Sequence, residues 1–186
     1  MLLTPTQTCT LFKHALAEHY AILAVNADSP AAVVDALEAA RQCQSPVIVE
    51  TSLWQLMGHS FGYGDPVLGM TQYLADLAVL GQSKRYRDVP IVYHTDHIKG
   101  PMTVSLLQRA IRGLDVSFGG QELRLSASSV SLDSSELSVE ENLATIATLC
   151  ETAREADVEA TLEMEAGVDD GVTSLDEARA LFGAAE

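Results

Sequence analysis

The sequence predicts an α/β fold whose parallel sheet is assembled from about five successive βα units. Continuous apolar runs of strand length alternate with segments of helical periodicity. Ser-Pro and Ser-x-x-Glu signals open several of the helical segments. The strand-like runs end in Asn, Asp, His or Glu, groups that a buried core would not select. Apolar strands alternating with amphipathic helices imply a parallel sheet covered on both faces and joined by right-handed connections.

"TCTLFKHALAEH" (8–19) reads as a leading helix, and "YAILAVN" (20–26) as the first strand, ending at Asn26. Ser29 and Pro30 supply the N-cap and first position of a helix continuing over 31–43. "PVIVETS" (46–52) is the second strand, followed by a helix over 66–81. "VPIVYHTD" (89–96) and the helix 104–113 repeat the unit, with Gly113 as terminator. Residues 114–127 interrupt the alternation and read as an inserted hairpin around Gly119-Gly120. "SSVSLD" (128–133) is the fourth strand, and Ser138 with Glu141 forms a capping box for a helix over 139–155. "VEATLEME" (158–165) is the fifth strand, and Ser174 with Glu177 caps a last helix, "LDEARALF". No low-complexity or Pro/Gly/Ser-rich linker divides the chain, so 1–186 reads as a single domain.

The balance of 26 acids against 11 bases gives a formal net charge of −15. Such a surface repels phosphate backbones, and without a basic stripe it argues against a nucleic-acid partner. No run approaches the roughly 18 uninterrupted apolar residues of a membrane span. The N-terminus lacks a basic region followed by an apolar core and a small-residue cleavage site, which reads as cytoplasmic. Cys9, Cys43 and Cys150 have neither metal-ligand spacing nor the pairing of a disulfide framework.

The strand ends carry Asn26, then Glu50 and Ser52, then Asp96 and His97, then Asp133, then Glu163 and Glu165. A parallel sheet brings these ends to one edge, and in a βα-barrel that edge is where active sites form. Clustered carboxylates with almost no Lys or Arg among them are costly unless a cation sits there, and a divalent metal is the simplest one. Imidazole plus carboxylate ligands suit zinc. Within "HTDH" (94–97), strand alternation puts His94 and Asp96 on one side and Thr95 and His97 on the other. One histidine then shares the metal edge, unless the strand breaks at Asp96.

In this combination the chain resembles the class II, zinc-dependent fructose-bisphosphate aldolases, a TIM-barrel family. The segments that carry the resemblance are "YAILAVN", "SPVIVETS", "VPIVYHTDH", "SLDSSELSVEENL" and "LEMEAGVDDGV". It implies a TIM-type βα-barrel, incomplete at about five of eight units, and cleavage of a ketose 1,6-bisphosphate to dihydroxyacetone phosphate and glyceraldehyde 3-phosphate, a step of glycolysis and gluconeogenesis. It makes Asp96 the proton-transferring residue and His97 a zinc ligand. Asp133 and Glu165 fall near the metal and could hold an alternative or second cation. Asn26 matches a residue near substrate, and Ser52 one that contacts a substrate phosphate. Glu163 and Asp169 are further candidates.

Three departures stand beside the resemblance. Leu53-Trp54-Gln55 replaces the family's Asn-Gly-Gly after the second strand, and the glycine-rich loop after the fifth is shortened to "AGVDD". The family's strands six to eight, with two zinc histidines and its phosphate loops, have no counterpart in residues 1–186. This predicts weak zinc binding and no cleavage by the chain alone, with self-association or association with a C-terminal half. Two other readings remain open at this stage: a non-catalytic aldolase-like subunit that stabilises a partner, and an open flavodoxin-like domain binding a metal or small ligand.

Overall fold

The computed structural model of the chain describes residues 1–165 and 171–185. Pro5–Ala17 (α1) starts earlier than its periodicity suggested, because Thr4 and Gln7 form a capping box and Pro5 takes the first helical position. The sheet strands are Ala24–Asn26 (β1), Val47–Thr51 (β2), Ile91–Ile98 (β3), Ser129–Leu132 (β6) and Thr161–Met164 (β7). Between them run the helices Pro30–Cys43 (α2), Leu53–Met57 (α3), Pro66–Gln82 (α4), Thr103–Arg112 (α5), Val139–Glu155 (α6) and Leu175–Ala185 (α7). Leu114–Phe118 (β4) and Gln121–Leu125 (β5) form the inserted antiparallel hairpin. Its turn, Gly119-Gly120, has positive φ at both residues, which glycine adopts without a side-chain clash.

The five sheet strands are parallel in the order β1-β2-β3-β6-β7, each beside its predecessor. That order decides between the two sheet types open to the sequence. A flavodoxin-like sheet reverses direction at a switch point, whereas a barrel adds strands in sequence. It also corrects the expectation of helices on both faces. Right-handed crossovers between strands taken in order carry the helices to one face and leave the other as barrel interior.

The register shows the two faces. In β2, Val47, Val49 and Thr51 are buried while Ile48 and Glu50 are less so. The helix-side core includes Leu37, Val49, Met70, Tyr73, Leu77, Ile91, Tyr93 and Leu106, each at most 1% exposed. On the opposite face one row crosses the whole sheet: Asn26, Glu50, His94, Ser129 and Thr161 are neighbours in successive pairs. All five are polar, so this face is hydrophilic at the carboxyl ends of the strands, while two residues earlier Ile48 and the fully buried Val92 are paired on the same face.

The first residues close the amino ends of the strands. Leu2 bridges to Ile91, and the Ser128 hydroxyl donates to the Leu3 carbonyl at 2.7 Å. Among the described residues no helix is long and apolar enough to cross a membrane.

Candidate active site

Strand alternation predicted that Asp96 and His97 would point to opposite sides of β3. The structure corrects this. Between Thr95 and Ile98 the pairing with β6 slips by a β-bulge, and His97 takes a left-handed φ of 46°. A bulge inserts one extra residue and resets which side the following residues face. Thr95 and Ile98 are both fully buried, and His97 between them is displaced to the strand's carboxyl end beside Asp96.

There His97 meets carboxylates from three strand ends. Its Nε2 lies 3.1 Å from Glu165 Oε1 and 3.8 Å from Asp96 Oδ1, and its Nδ1 lies 3.6 Å from Asp133 Oδ2. Asp96 is oriented from the other side, where Asn26 Nδ2 donates to its Oδ2 at 2.9 Å and to Glu50 Oε1 at 3.1 Å. Asn26, Asp96, His97, Asp133 and Glu165 therefore form one connected cluster.

Asp133 is almost fully buried. Burial works against its ionisation, but the Ser135 hydroxyl and amide both donate to its Oδ1, and together with Lys99 they hold the carboxyl below its ordinary range. Its Oδ2 has no hydrogen-bond partner of good geometry; Lys99 Nζ stands 3.4 Å away. A buried carboxylate oxygen left in this way suits a cation. His97 and Asp133 thus fit a metal ion as two of its ligands. The full set is not present, because among the described residues no three His, Cys, Asp or Glu side chains converge to hold an ion.

Glu163 belongs to a second pair. His94 is buried, with Nδ1 2.9 Å from Ser129 Oγ and Nε2 3.0 Å from Glu163 Oε2. The imidazole holds the Glu163 carboxyl below its ordinary range, against the opposing effect of burial. Glu50 is pushed the other way, by burial first and by the Asp96 charge second. Glu50 and Lys99 are the site groups that residue patterns alone did not single out for a role. The signal for Glu50 was available, since it follows Ile48 by two positions on a strand adjoining Asn26.

Ser52 sits apart from the Asp96–His97 cluster. It heads α3, its amide donating to Gln55 Oε1 at 2.6 Å, and it lines a cavity that His97 and Lys99 also border. Asp169 lies outside the described residues.

Parallel strands in sequential order define part of a βα-barrel, and the acids and imidazole gathered at their carboxyl ends make a candidate site on the edge where barrel active sites form. The family model for class II fructose-bisphosphate aldolase matches residues 6–182, and the chain belongs to that family. Fructose-bisphosphate aldolase 1 of Paracoccidioides lutzii is 32% identical over 173 residues, covering 87% of this chain and 44% of that protein. The Candida albicans fructose-bisphosphate aldolase is also 32% identical, over 87% of this chain and 45% of its own length. The crystal structure of a Campylobacter jejuni fructose-bisphosphate aldolase superposes with a TM-score of 0.73 at 25% identity, covering 99% of this chain and 54% of that one. An Escherichia coli K12 aldolase at 18% identity and TM-score 0.57 supports the fold. The chain spans about half the length of these relatives.

Proposed function

We propose that this chain forms the Asp96–His97 half of a class II aldolase site, which cleaves a phosphorylated ketose to dihydroxyacetone phosphate and an aldehyde in the cytoplasm. The observation that carries this reading is the bulge at His97, which gathers Asp96, His97, Asp133 and Glu165 at one strand edge.

In the cleavage direction the C3–C4 bond breaks and its electron pair remains on the C3 side as an enediolate. The C4 hydroxyl becomes the carbonyl of the departing aldehyde and loses its proton. Asp96 is the base for that proton, because it is ionisable, partly open to solvent and held in one orientation by Asn26. Asn26 has a second hydrogen bond to Glu50, which fixes its amide and so the angle of the Asp96 carboxylate. Ser52 offers a hydroxyl to the substrate from the neighbouring cavity.

The family is metal-dependent, and zinc is the ion we assign, with His97 and Asp133 as two of the residues that would hold it and Glu165 as a neighbouring carboxylate on the other ring nitrogen of His97. When bound it supplies Lewis-acid polarisation of the ketone. A catalytic zinc site needs about three protein ligands and an open position, so further polypeptide, from a second copy or a C-terminal half, completes the set.

The test is zinc-dependent cleavage of fructose 1,6-bisphosphate by the chain alone and after mixing with the C-terminal half of a class II aldolase. The mixture should be active. Asp96→Ala should lower its turnover by about two to four orders of magnitude while zinc content is unchanged. His97→Ala should lose zinc, and His94→Ala should keep it. Near-normal turnover in Asp96→Ala would remove Asp96 from the chemistry. An assembled but inactive mixture would identify the chain as an aldolase-like binding subunit.

A further inference from the structure

Helix α4 carries one charged side chain in its 17 residues, Asp76. Its position there is costly in two ways. Aspartate is a poor residue for a helix interior. Asp76 is also partly buried, and burial raises its carboxyl above the ordinary value of 3.8. Among the described residues it has no hydrogen bond or ion pair to offset either cost. Other acids of the same region are used by the fold: Asp65 caps α4, and Glu38 of α2 pairs with Arg41 and Arg85.

Asp76 lines a cavity of about 290 Å³ between α2 and α4. Tyr73, Val79 and Leu80 join it from α4 at helical spacing, and Pro30, Val33 and Val34 line the α2 side. Phe61 completes the lining. The Phe61 and Tyr73 rings, 4.7 Å apart between centroids and both buried, make an aromatic floor. The Tyr73 hydroxyl already donates to the Ala27 carbonyl at 3.1 Å, so Tyr73 offers the cavity its ring. Val34 and Val79 are 39% and 68% exposed, which leaves the mouth open to solvent. Every wall belongs to this chain, and none to the Asp96–His97 cluster.

The walls select the ligand. An apolar body gains by leaving water for this floor. An anion would meet the Asp76 charge with no cation beside it. An uncharged ligand would desolvate the carboxylate further without compensation. A protonated amine supplies a charge-assisted hydrogen bond and balances the charge. The volume sits at the low end of ligand pockets, about 300–1,000 Å³, and suits a small molecule.

We propose that the α2–α4 cavity binds a small organic cation, a protonated amine on an aryl or branched alkyl body, with the ammonium on Asp76 and the body over Phe61 and Tyr73. This site is independent of the aldolase reading.

Calorimetry on the purified chain at neutral pH and about 0.15 M salt, where charges are screened beyond about 8 Å, compares 2-phenylethylamine, 2-phenylethanol and 3-phenylpropanoate. These share a phenyl body and differ in the charge at its end. The amine should bind one-to-one and at least about ten-fold more tightly than the alcohol, with the carboxylate weakest. Asp76→Asn keeps the shape and removes the charge. There the amine should lose about ten-fold and fall within about three-fold of the alcohol. Val34→Trp, at the mouth, should weaken both, and an effect on neither would place the binding elsewhere and sink the proposal. Unchanged amine affinity in Asp76→Asn would assign the binding to the acidic surface at large and overturn it. Equal affinities for amine and alcohol in the parent chain, or no saturable binding of the amine, would overturn it as well.

Discussion

Glu50 and Glu163 lie on the same face of the sheet, yet their carboxyls are driven in opposite directions. Glu50 is partly buried beside the ionised Asp96 and is raised above its ordinary value of 4.5. The folded state therefore holds the Glu50 proton more tightly than the unfolded chain does. Stability is not reduced by this group at acid pH, and falls as pH rises through the raised value. Glu163, lowered by His94, behaves conversely: its contribution is present above its ordinary value and is lost as pH falls through the depressed one. Glu50→Gln removes the repulsion and keeps an acceptor for Asn26. It should raise the melting temperature at neutral pH by about 1–3 °C, a modest gain because Glu50 is half open to solvent. The gain should fade in acid. A variant that melts lower than the parent at neutral pH would show that Glu50 is held by something other than strain against Asp96.

Strand β3 sets the site because it departs from regular pairing. The βα alternation, the hairpin at Gly119-Gly120 and the polar strand ends were all legible in the sequence, since each rests on local periodicity or turn chemistry. The bulge was not. Strand periodicity assumes unbroken alternation, and the slip opposite Val130 and Leu132 is a property of the pair of strands, invisible in either alone. Helix α3 escaped notice for a related reason: five residues are too few to show a helical period, and its anchor is the distant Gly69. Strand one was expected over 20–26 but pairs as Ala24–Asn26, with Leu23 left 72% exposed. The bulge makes its own prediction. A left-handed φ at position 97 suits Asn and opposes a β-branched side chain. Both His97→Asn and His97→Val lose the imidazole, so their difference reads the backbone alone. Urea unfolding should find the valine variant less stable than the asparagine variant by about 1–2 kcal/mol. Equal stability would mean that β3 reverts to regular pairing when His97 is gone.

At the scale of the whole molecule, a sheet whose edge strands β1 and β7 have no further strand beside them among the described residues meets a formal net charge of −15. Edge strands offer unsatisfied backbone groups to any second chain. Here the edges are short, three residues in β1 and four in β7, but Leu23 beside β1 leaves an apolar side chain in solvent. The charge opposes association over a distance set by salt. Its reach is about 30 Å at 0.01 M and about 3 Å at 1 M ionic strength. Short-range edge pairing is almost unaffected by salt, so the two effects separate on a salt titration. Sedimentation velocity should find the chain predominantly monomeric at low salt and shifted to dimers or larger species near molar salt. Leu23→Lys, which places a charge beside the β1 edge, should hold the monomer to higher salt by the same device natural edge strands use. A sedimentation coefficient that stays constant across the titration would show that these edges do not pair, and that completion of the metal site requires a different partner from a second copy of this chain.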